Sequence, residues 1–546
     1  MLKFPAVELD GGTGLGHNPN RRRRRTRDCD IIGNVRRRDF FLTGAAAIAA
    51  RAAGGRVLDP KSYGASGDGK TLDTPAIQKA IDDCASAGGG MVYLAPGAYL
   101  SGTVVLRENI TFHLEAGATL LGSTRLEDYR PQSGPPLRGD ANAKHLLFAR
   151  DAANVTLSGA GRIDGQGRAF WVPSQRQTPP PEDAWRDVAT YDWKPLDRPS
   201  PMVEFFRCPN LRIENVTLAN SSGWTLRPIE CDTVLIRGLK IRNPVIGPNT
   251  DGIDPTCCRN VAISDCDIST GDDCICLKSE SPYGTLGLTR NITIVNCVLS
   301  SCCNGLKFGT ATRGGFENIT FSNSVIHNDD VPLNARVISG IAIEMVDGGW
   351  TEGVAISNVR MQRVRTPIFV RLGARNGAGR LRGVAIDGVH ATGAILTSSI
   401  TGIPEHDAED IALTNIRIET AEPGREEWAA RAVPEQEKSY PEARMFGRLP
   451  AYGLYARHVR GLTLENLQVD SLARDPRPAL HCEDVKQLRV ARLQASPPES
   501  AQPLIRLKDV RDAVIQGCVA PGLRGKPVDE SGCTGVQVLD NAFPKG

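Results

Sequence analysis

Three aspartates form the chemical pattern in this sequence that points most directly to a reaction. Asp251 lies in the segment Asn-Thr-Asp-Gly-Ile-Asp at 249–254, and Asp272 and Asp273 lie in Thr-Gly-Asp-Asp-Cys-Ile at 270–275. When carboxyl groups crowd together, one pKa rises, so one group stays protonated near neutral pH while its neighbours remain ionised. A protonated acid beside ionised carboxylates can hydrolyse a glycosidic bond. The same acids could instead cap turns or hold calcium, and their spacing leaves these alternatives open.

An internal repeat predicts how the two acidic turns come together. Short runs with alternating apolar residues recur, and after Asn260 most of them start 26–35 residues apart. One such run cannot bury its own apolar side, but stacked copies can pair as parallel strands about 4.8 Å apart. Asp251 precedes Asp272 by 21 residues, a little less than one repeat. We therefore expect the acidic turns on neighbouring coils, at the same face of the stack.

The repeat favours an all-β fold, a right-handed single-stranded parallel β-helix. A sheet built from alternating strands and helices would need helices of about 10–15 residues between the strands, and no such pattern follows residue 90. The 56 glycines and the low aromatic content of 5% also suit a turn-rich β protein. A propeller or an antiparallel sandwich is the alternative.

A short capping helix is predicted at the N-terminal end of the coil. Segment 74–84 places apolar residues at every third or fourth position, which is typical of one buried helical face. Thr74 is the expected N-cap residue, and Pro75 is expected at the first helical position. One face of this helix would then cover the open end of the apolar core.

Residues 54–546 are expected to form a single β-helix domain with two insertions. The insertions lie near 172–200 and 420–452, where the repeat is interrupted, and loops of this length often carry function. The first contains Trp185, Tyr191 and Trp193. Their rings could stack on a sugar or pack against their own scaffold, and the sequence leaves both open.

The first 53 residues form a basic leader. They hold 11 of the 65 Lys+Arg residues and 5 of the 62 Asp+Glu residues, which leaves the rest slightly acidic, so binding of nucleic acid through bulk charge is not expected. Arg37 and Arg38, followed by Asp39-Phe-Phe-Leu and a short apolar run, resemble a bacterial twin-arginine export signal. The alternative is a basic tail with an accidental arginine pair. Export predicts a periplasmic or secreted monomer that is not bound to a membrane once the signal is removed.

The cysteines are the remaining candidates for metal binding. Eight of the 15 lie between residues 257 and 303, without the Cys-X-X-Cys pairs and interleaved histidines that zinc sites use. The twin-arginine route carries proteins that fold in a reducing cytosol, so buried thiols acting as small apolar residues are the favoured interpretation. No metal or other cofactor is predicted.

Three further segments stand out beside the two acidic blocks. They are Asn-Ser-Ser-Gly-Trp-Thr-Leu-Arg-Pro at 220–228, Gly-Arg-Ile-Asp-Gly-Gln-Gly at 161–167 and Tyr-Gly-Ala-Ser-Gly-Asp-Gly-Lys-Thr at 63–71. Together these segments resemble glycoside hydrolase family 28, the polygalacturonase family. The resemblance implies a β-helical enzyme that hydrolyses a pectic or related acidic plant polysaccharide with inversion at the anomeric carbon.

The same resemblance implies roles for individual residues. Asp272 corresponds to the general acid that protonates the leaving oxygen, and Asp251 and Asp273 correspond to the pair that activates the attacking water. Asn249, in the first acidic block, is a candidate for substrate binding. Lys278, Arg313 and Arg371 are further candidates, because their positive charges could bind an acidic sugar.

The sequence departs from the family pattern at two places. The usual histidine of Gly-His-Gly corresponds to Asn304, which can form hydrogen bonds but cannot be protonated, while nearby Lys307 could supply positive charge. The Arg-Ile-Lys triplet that binds the substrate carboxylate corresponds to Ala342-Ile343-Glu344, and Glu344 would repel a galacturonate carboxylate. We therefore expect a specificity that differs from ordinary endo-polygalacturonase, such as a neutral rhamnose beside the cleaved bond or exo action.

Two other classes of function remain as alternatives. A polysaccharide lyase on the same fold would need a base, often Arg or Lys, and commonly calcium. A carbohydrate-binding β-helix without catalytic activity is suggested by the missing histidine.

Overall fold

The protein is a right-handed parallel β-helix, as predicted. Its structure, a computed structural model, describes residues 56–131, 144–174, 193–284, 286–329, 331 and 333–543. Each complete coil adds one strand to each of three parallel sheets, which are named sheet 1, sheet 2 and sheet 3 in the order in which the chain passes through them. In several later coils one long strand bends and serves two consecutive sheets.

The strands have the following bounds. Sheet 1 contains Arg56–Leu58, Gly90–Leu94, Ile110–Leu114, Thr156–Ser158, Leu211–Glu214, Asp232–Arg237, Arg259–Ser264, Leu288–Val295, Gly315–His327, Trp350–Gln362, Arg380–Ala394, Ala408–Thr420, Leu454–Ser471, Leu480–Ala491, Arg511–Gln516 and Thr534–Leu539. Sheet 2 contains Asp68–Leu72, Gly97–Ser101, Ala118–Gly122, Arg162–Asp164, Thr217–Ala219, Lys240–Arg242, Asp267–Thr270, Val298–Ser301 and Gln494–Ala495, together with the C-terminal halves of five of the long strands. Sheet 3 contains Val104–Val105, Leu147–Arg150, Val203–Phe206, Leu226–Ile229, Ile275–Leu277, Asn304–Phe308, Ser339–Met345, Thr366–Leu372, Ser398–Thr401, Ile505–Lys508 and Val528–Ser531, with the first residues of two long strands.

Register in sheet 3 determines which side chains can form a site. Ile275, Leu306 and Ile341 are aligned on successive coils and belong to the continuous apolar core. The neighbouring row, Cys276 and Lys307, is also aligned, and because side chains alternate along a strand it points out of the coil. The outer surface of sheet 3 therefore presents Cys276 and Lys307 on neighbouring coils, one coil apart.

The N-terminal helix is present, but its start differs by one residue from the prediction. It spans Thr74–Ser86, and Asp73 rather than Thr74 is the N-cap residue. The Thr74 hydroxyl does not cap the helix; it accepts a hydrogen bond from Gly102 N at 2.8 Å, across to the neighbouring coil. The buried face contains Ile77, Ala80, Ile81 and Cys84, as the apolar spacing predicted. Within the described residues, no helix combines the length and apolar character needed to cross a bilayer.

The first insertion contributes a small hairpin, in which Trp171–Pro173 pairs with Trp193–Pro195 in antiparallel orientation. The Trp193 ring lies 3.7 Å from the guanidinium carbon of Arg168 and packs against the core, so this ring contacts its own scaffold. Trp185 and Tyr191 lie outside the described residues, as does the basic leader. All cysteines from Cys84 to Cys533 are in the thiol form, and most are buried, which agrees with the favoured interpretation.

Candidate active site

The aspartates predicted to act together all lie in the turns that connect sheet 2 to sheet 3. One turn, which ends at Gly252, carries Asp251, and the equivalent turn of the next coil carries Asp272 and Asp273 between Thr270 and Ile275. Backbone hydrogen bonds align the turns, since Gly252 N donates to Asp273 O at 2.8 Å. The coil spacing thus places the two acidic segments side by side, as the repeat predicted.

Gly252 is required for this close approach. A Cβ atom at this position would lie 2.3 Å from the carbonyl oxygen of Cys274 on the next coil, which is closer than any side chain can come to a backbone atom. The turn of Asp251 can therefore rest directly on the turn of Asp273. The glycine that follows the first acid is a packing requirement of the site.

The three carboxyl groups form one cluster. A carboxylate oxygen of Asp251 and one of Asp273 lie within 4.8 Å of each other, and so do oxygens of Asp272 and Asp273. Asp251 and Asp273 are 4% and 3% exposed, whereas Asp272 is only half-buried. Asp272 is therefore the member of this trio that a bound substrate can contact most directly.

Asp273 is held by two residues of the following coil. Asn304 Nδ2 donates a hydrogen bond to Asp273 Oδ1 at 2.7 Å, and Lys307 Nζ lies 3.2 Å from Asp273 Oδ2. Asn304 and Lys307 are both buried in the strand Asn304–Phe308. The asparagine at the position of the usual histidine thus contacts a catalytic candidate directly, and the lysine brings positive charge to the same carboxylate.

Asp254 and Cys276 belong to the same cluster, although neither was predicted as a site residue from the sequence. Asp254 is fully buried, and Lys278 Nζ lies 3.5 Å from its Oδ1 atom. Lys278 Nζ also donates to Cys276 Sγ at 3.0 Å, and this sulfur lies within 4.8 Å of oxygens of Asp251 and Asp273. The alternation of strand side chains was the available signal, because Asp254, Cys276 and Lys278 all follow the acidic turns at outward positions.

The surroundings set different protonation states for these acids. The pKa of Asp251 is raised well above its ordinary value by burial and by the charges of Asp272, Asp254 and Asp273. Burial also raises the pKa of Asp254, to about 6, although Lys278 opposes the rise. Burial acts in the same direction on Asp273, but the ammonium groups of Lys307 and Lys278 outweigh it and hold the pKa of Asp273 below its ordinary value. The cluster therefore combines carboxyl groups that keep their protons to higher pH than usual, Asp251 and Asp254, with one that stays ionised to lower pH than usual, Asp273.

Glu344 has no exposed surface. Its Oε2 atom lies 3.6 Å from Lys307 Nζ, and burial raises its pKa to about 8 although Lys307 opposes the rise. The Glu344 side chain is therefore mostly uncharged at neutral pH, and it lies next to Lys307. The electrostatic repulsion that the sequence suggested for Glu344 is correspondingly weakened.

The remaining predicted contacts lie at the edges of the cluster. Asn249 Nδ2 lies 3.5 Å from Asp272 Oδ2, and Asn249 Oδ1 accepts a hydrogen bond from Arg198 at 3.2 Å. Arg371 is buried and donates to the carbonyl oxygens of Gly402 and Glu435, so it is not directed at the acids. Asn249 thus positions Asp272, whereas Arg371 belongs to the packing of later coils.

An open cleft lies beside the cluster on the outer surface of sheet 3. It has a volume of about 260 Å³, and Trp224, Lys278 and Arg375 are among its lining residues. The Trp224 ring has the Arg227 guanidinium carbon at 4.7 Å and Lys278 Nζ at 4.8 Å. The cleft thus combines an aromatic ring, which can pack on a sugar, with cations. One of these cations, Lys278, is in direct contact with the acid cluster through Asp254.

Other proteins are similar to this chain in sequence and in fold. A probable polygalacturonase of Vitis vinifera is 28% identical over 400 residues, covering 69% of this chain and 76% of the relative. An endo-polygalacturonase of Pectobacterium carotovorum subsp. carotovorum is 29% identical over 307 residues, covering 54% and 71%. An exopolygalacturonase of Yersinia enterocolitica shares the fold with a TM-score of 0.57 at 19% identity, covering 90% of this chain and 79% of that one.

A parallel β-helix with clustered acids beside a surface cleft, together with these similarities, defines a glycosidase that hydrolyses O-glycosyl bonds. Residues 101–427 match the profile of the glycosyl hydrolases family 28. The chain belongs to this family. A polysaccharide or oligosaccharide substrate follows from that membership.

Proposed function

We propose that the protein hydrolyses a pectic or related acidic plant polysaccharide by inverting acid/base catalysis, with a specificity that differs from ordinary endo-polygalacturonase. The observation that carries this proposal is the carboxyl cluster, in which oxygens of Asp251 and Asp273 lie within 4.8 Å while Lys307 keeps Asp273 ionised. Polygalacturonases among the relatives supply the class of substrate.

In the proposed reaction Asp272 donates a proton to the leaving oxygen, because it is the half-buried member of the trio. Crowding of the carboxyl groups favours the retention of a proton within the cluster, and in this proposal Asp272 is the group that delivers a proton to the substrate. Asp273, kept ionised, accepts a proton from the attacking water, which Asp251 helps to orient. Inversion is proposed from the family, and the nearly complete burial of Asp251 and Asp273 fits action through a small water molecule better than direct attack on the anomeric carbon.

The altered specificity is supported by the charges around the cleft. Ala342 and Glu344 replace cations, and the remaining cations near the cleft have carboxylate partners within the protein. These pairs are Lys278 with Asp254, Lys307 with Asp273, Arg227 with Glu204 and Arg375 with Asp347. A substrate carboxylate beside the cleaved bond would compete with these partners, so a neutral sugar such as rhamnose suits that position better.

Digestion of defined pectic fragments tests the proposal. Polygalacturonate, a rhamnose-containing pectic backbone and oligosaccharides of each are incubated with the enzyme, and the products are identified by mass. We expect the rhamnose-containing substrates to be cleaved faster, with addition of one water per bond. NMR of the first products reports the anomer, and inversion is expected. Faster cleavage of polygalacturonate, or a retained anomer, would contradict the corresponding part of the proposal.

The same experiment separates the alternatives. A lyase would give unsaturated products without added water and would lose activity with a chelator. The convergent acids are poorly suited to calcium, because each group of possible ligands includes a cysteine thiol and Lys278 or Lys307 already neutralises part of the charge. A protein that only binds carbohydrate would show glycan affinity without any product.

We also propose export by the twin-arginine route to the periplasm or the exterior, with action there as a monomer. The support is the Arg37-Arg38 motif and the following short apolar run. Replacing both arginines with lysine in a bacterial host should retain the precursor in the cytoplasm. Export of that variant at the wild-type level would exclude this route, and sedimentation of the mature protein tests the monomer.

A further inference from the structure

The second insertion covers the outer surface of sheet 3 immediately beyond the acid cluster. Ala342 and Phe369 occupy the next two positions of the outward row that contains Lys307. Both are fully buried, in a second apolar cluster separate from the core of the coil. The insertion supplies the other side of that cluster through Ala443, Phe446 and Leu449. One coil beyond Lys307, about 4.8 Å along the stack, the outward row of sheet 3 is therefore covered by the insertion.

Buried arginines fix the insertion in this place. Arg371 donates to the carbonyl oxygen of Glu435 at 2.7 Å, and Arg457 donates to that of Val433 at 2.7 Å. Both arginine residues are at most 3% exposed. A backbone hydrogen bond of 2.7 Å from Ala374 N to Glu437 O ties the insertion to the edge of sheet 3. Lifting the insertion would leave two buried guanidinium groups without these acceptors, which is costly, so the insertion acts as a fixed wall.

Tyr440 is an exposed residue of this wall that lies close to the acid cluster. It is 53% exposed, and its ring centre lies 5.6 Å from Lys307 Nζ and 5.5 Å from the guanidinium carbon of Arg375. Lys307 in turn contacts Asp273, and Arg375 lines the open cleft. The exposed aromatic ring thus stands where the cleft meets the wall.

We propose that the insertion ends the groove on this side of the acids, so that the enzyme acts at a polysaccharide end, and that Tyr440 contacts the terminal sugars. This inference rests on the proposed hydrolysis of a pectic substrate. A chain that continued along sheet 3 past Lys307 would collide with the apolar cluster of Phe369 and Phe446. Beyond Lys307 the open cleft continues at the edge of sheet 3 as far as Arg375, where Tyr440 stands, and the Tyr440 ring gives a sugar bound there an apolar surface.

The time course of products on polymeric substrates tests chain-end action. We expect one short product from the first minutes and a slow fall in viscosity for the wild type. In Tyr440→Ala the KM should rise about tenfold with a smaller change in kcat, because the ring contributes binding rather than proton transfer, and Tyr440→Phe should retain the wild-type KM. The matched control is Tyr63→Ala, since Tyr63 also has a lysine ammonium 5.9 Å from its ring but lies at the N-terminal helix. Early products of many lengths with a rapid loss of viscosity would overturn the proposal while leaving the hydrolytic function intact.

A binding measurement tests chain-end recognition without any catalytic turnover. Pectic oligosaccharides of the panel are tethered to a surface by one end, by the other end, or by both, and Asp272→Asn protein is passed over them. Chain-end recognition predicts loss of binding when one particular end is tethered and when both are. Equal binding to all three surfaces would contradict it. Failure of the proposed hydrolytic function is a different result, namely no product from any substrate while end-dependent binding persists.

Discussion

Lys307 Nζ lies 3.2 Å from Asp273 Oδ2, and both residues are at most 3% exposed. The same ammonium group lies 3.6 Å from Glu344 Oε2 on its other side. It holds the pKa of Asp273 below its ordinary value against the effect of burial, whereas burial prevails at Glu344 and raises that pKa to about 8. One buried cation thus lies between an ionised carboxylate, which can act as a base, and a protonated one.

Asp272→Asn should abolish hydrolysis without altering the fold. The amide cannot donate the proton that the leaving oxygen needs, so kcat should fall at least about 1,000-fold. Initial rates on the best substrate of the panel, with circular dichroism and thermal melting, provide the measurement. Asp410→Asn is the matched control, since Asp410 is an exposed aspartate that pairs with Arg382 on sheet 1. Hydrolysis by Asp272→Asn at a rate near the wild type would refute the assigned role.

Asn304→Ala should move the pH profile of the enzyme. Asn304 helps Lys307 and Lys278 to keep the pKa of Asp273 low, so removing its hydrogen bond should raise that pKa. The acidic limb of kcat/KM should then move to higher pH, and kcat at pH 5 should decrease by about tenfold or more. The control is Asn291→Ala, which removes an exposed asparagine from the row along sheet 1. A lower kcat with an unmoved acidic limb would show that Asn304 does not act through Asp273.

Glu344→Gln should change how stability depends on pH. The pKa of Glu344 is about 8 in the folded protein and about 4.5 in the unfolded chain, so between these values the folded state binds more protons. The free energy of unfolding of the wild type should therefore fall as pH rises through this range, by a few kcal/mol relative to the glutamine variant. Urea unfolding at pH 5 and at pH 8 measures both proteins. Parallel pH dependences in the two proteins would contradict the raised pKa.

Lys307→Met should destabilise the protein most at neutral pH. The substitution keeps the size of the side chain but leaves the buried Asp273 without its nearest cation, which is expected to cost about 3–5 kcal/mol. Protonation of Asp273 should relieve part of this cost, so the loss relative to the wild type should be smaller at pH 4. Denaturant titrations at pH 4 and pH 7 test the difference. A loss of equal size at both pH values would indicate that Lys307 contributes packing rather than charge.

The sequence was sufficient for the fold because the repeat and the coil spacing are local properties. Alternating apolar residues at nearly constant separation predicted the parallel stack, and the same separation brought Asp251 beside Asp273. The start of the first helix was predicted one residue late, and the Thr74 hydroxyl that was expected to cap it binds Gly102 instead, a contact between coils that no local pattern encodes. Asp254 is the last residue of the first acidic segment, but its position beside Lys278 depends on the register of sheet 3.

The burial of individual polar side chains could not be predicted from the sequence. Glu344 and Arg371 resemble surface residues of a strand, yet both are covered by an insertion that begins some 50 to 80 residues later in the chain. Whether such a segment packs over the coil or extends away from it depends on many weak contacts between distant residues. The sequence therefore indicated Glu344 as a repulsive charge, whereas the structure makes it a mostly uncharged neighbour of Lys307.

The thiol form of the cysteines from Cys84 to Cys533 has a practical consequence. No oxidant is needed to complete this part of the fold, so recombinant enzyme can be made in a reducing host and stored with dithiothreitol without loss of a covalent link. Because most of these sulfurs are buried, an alkylating reagent will modify them only when coils open. The rate of alkylation, followed cysteine by cysteine with peptide mass spectrometry, would then map which end of the solenoid frays first.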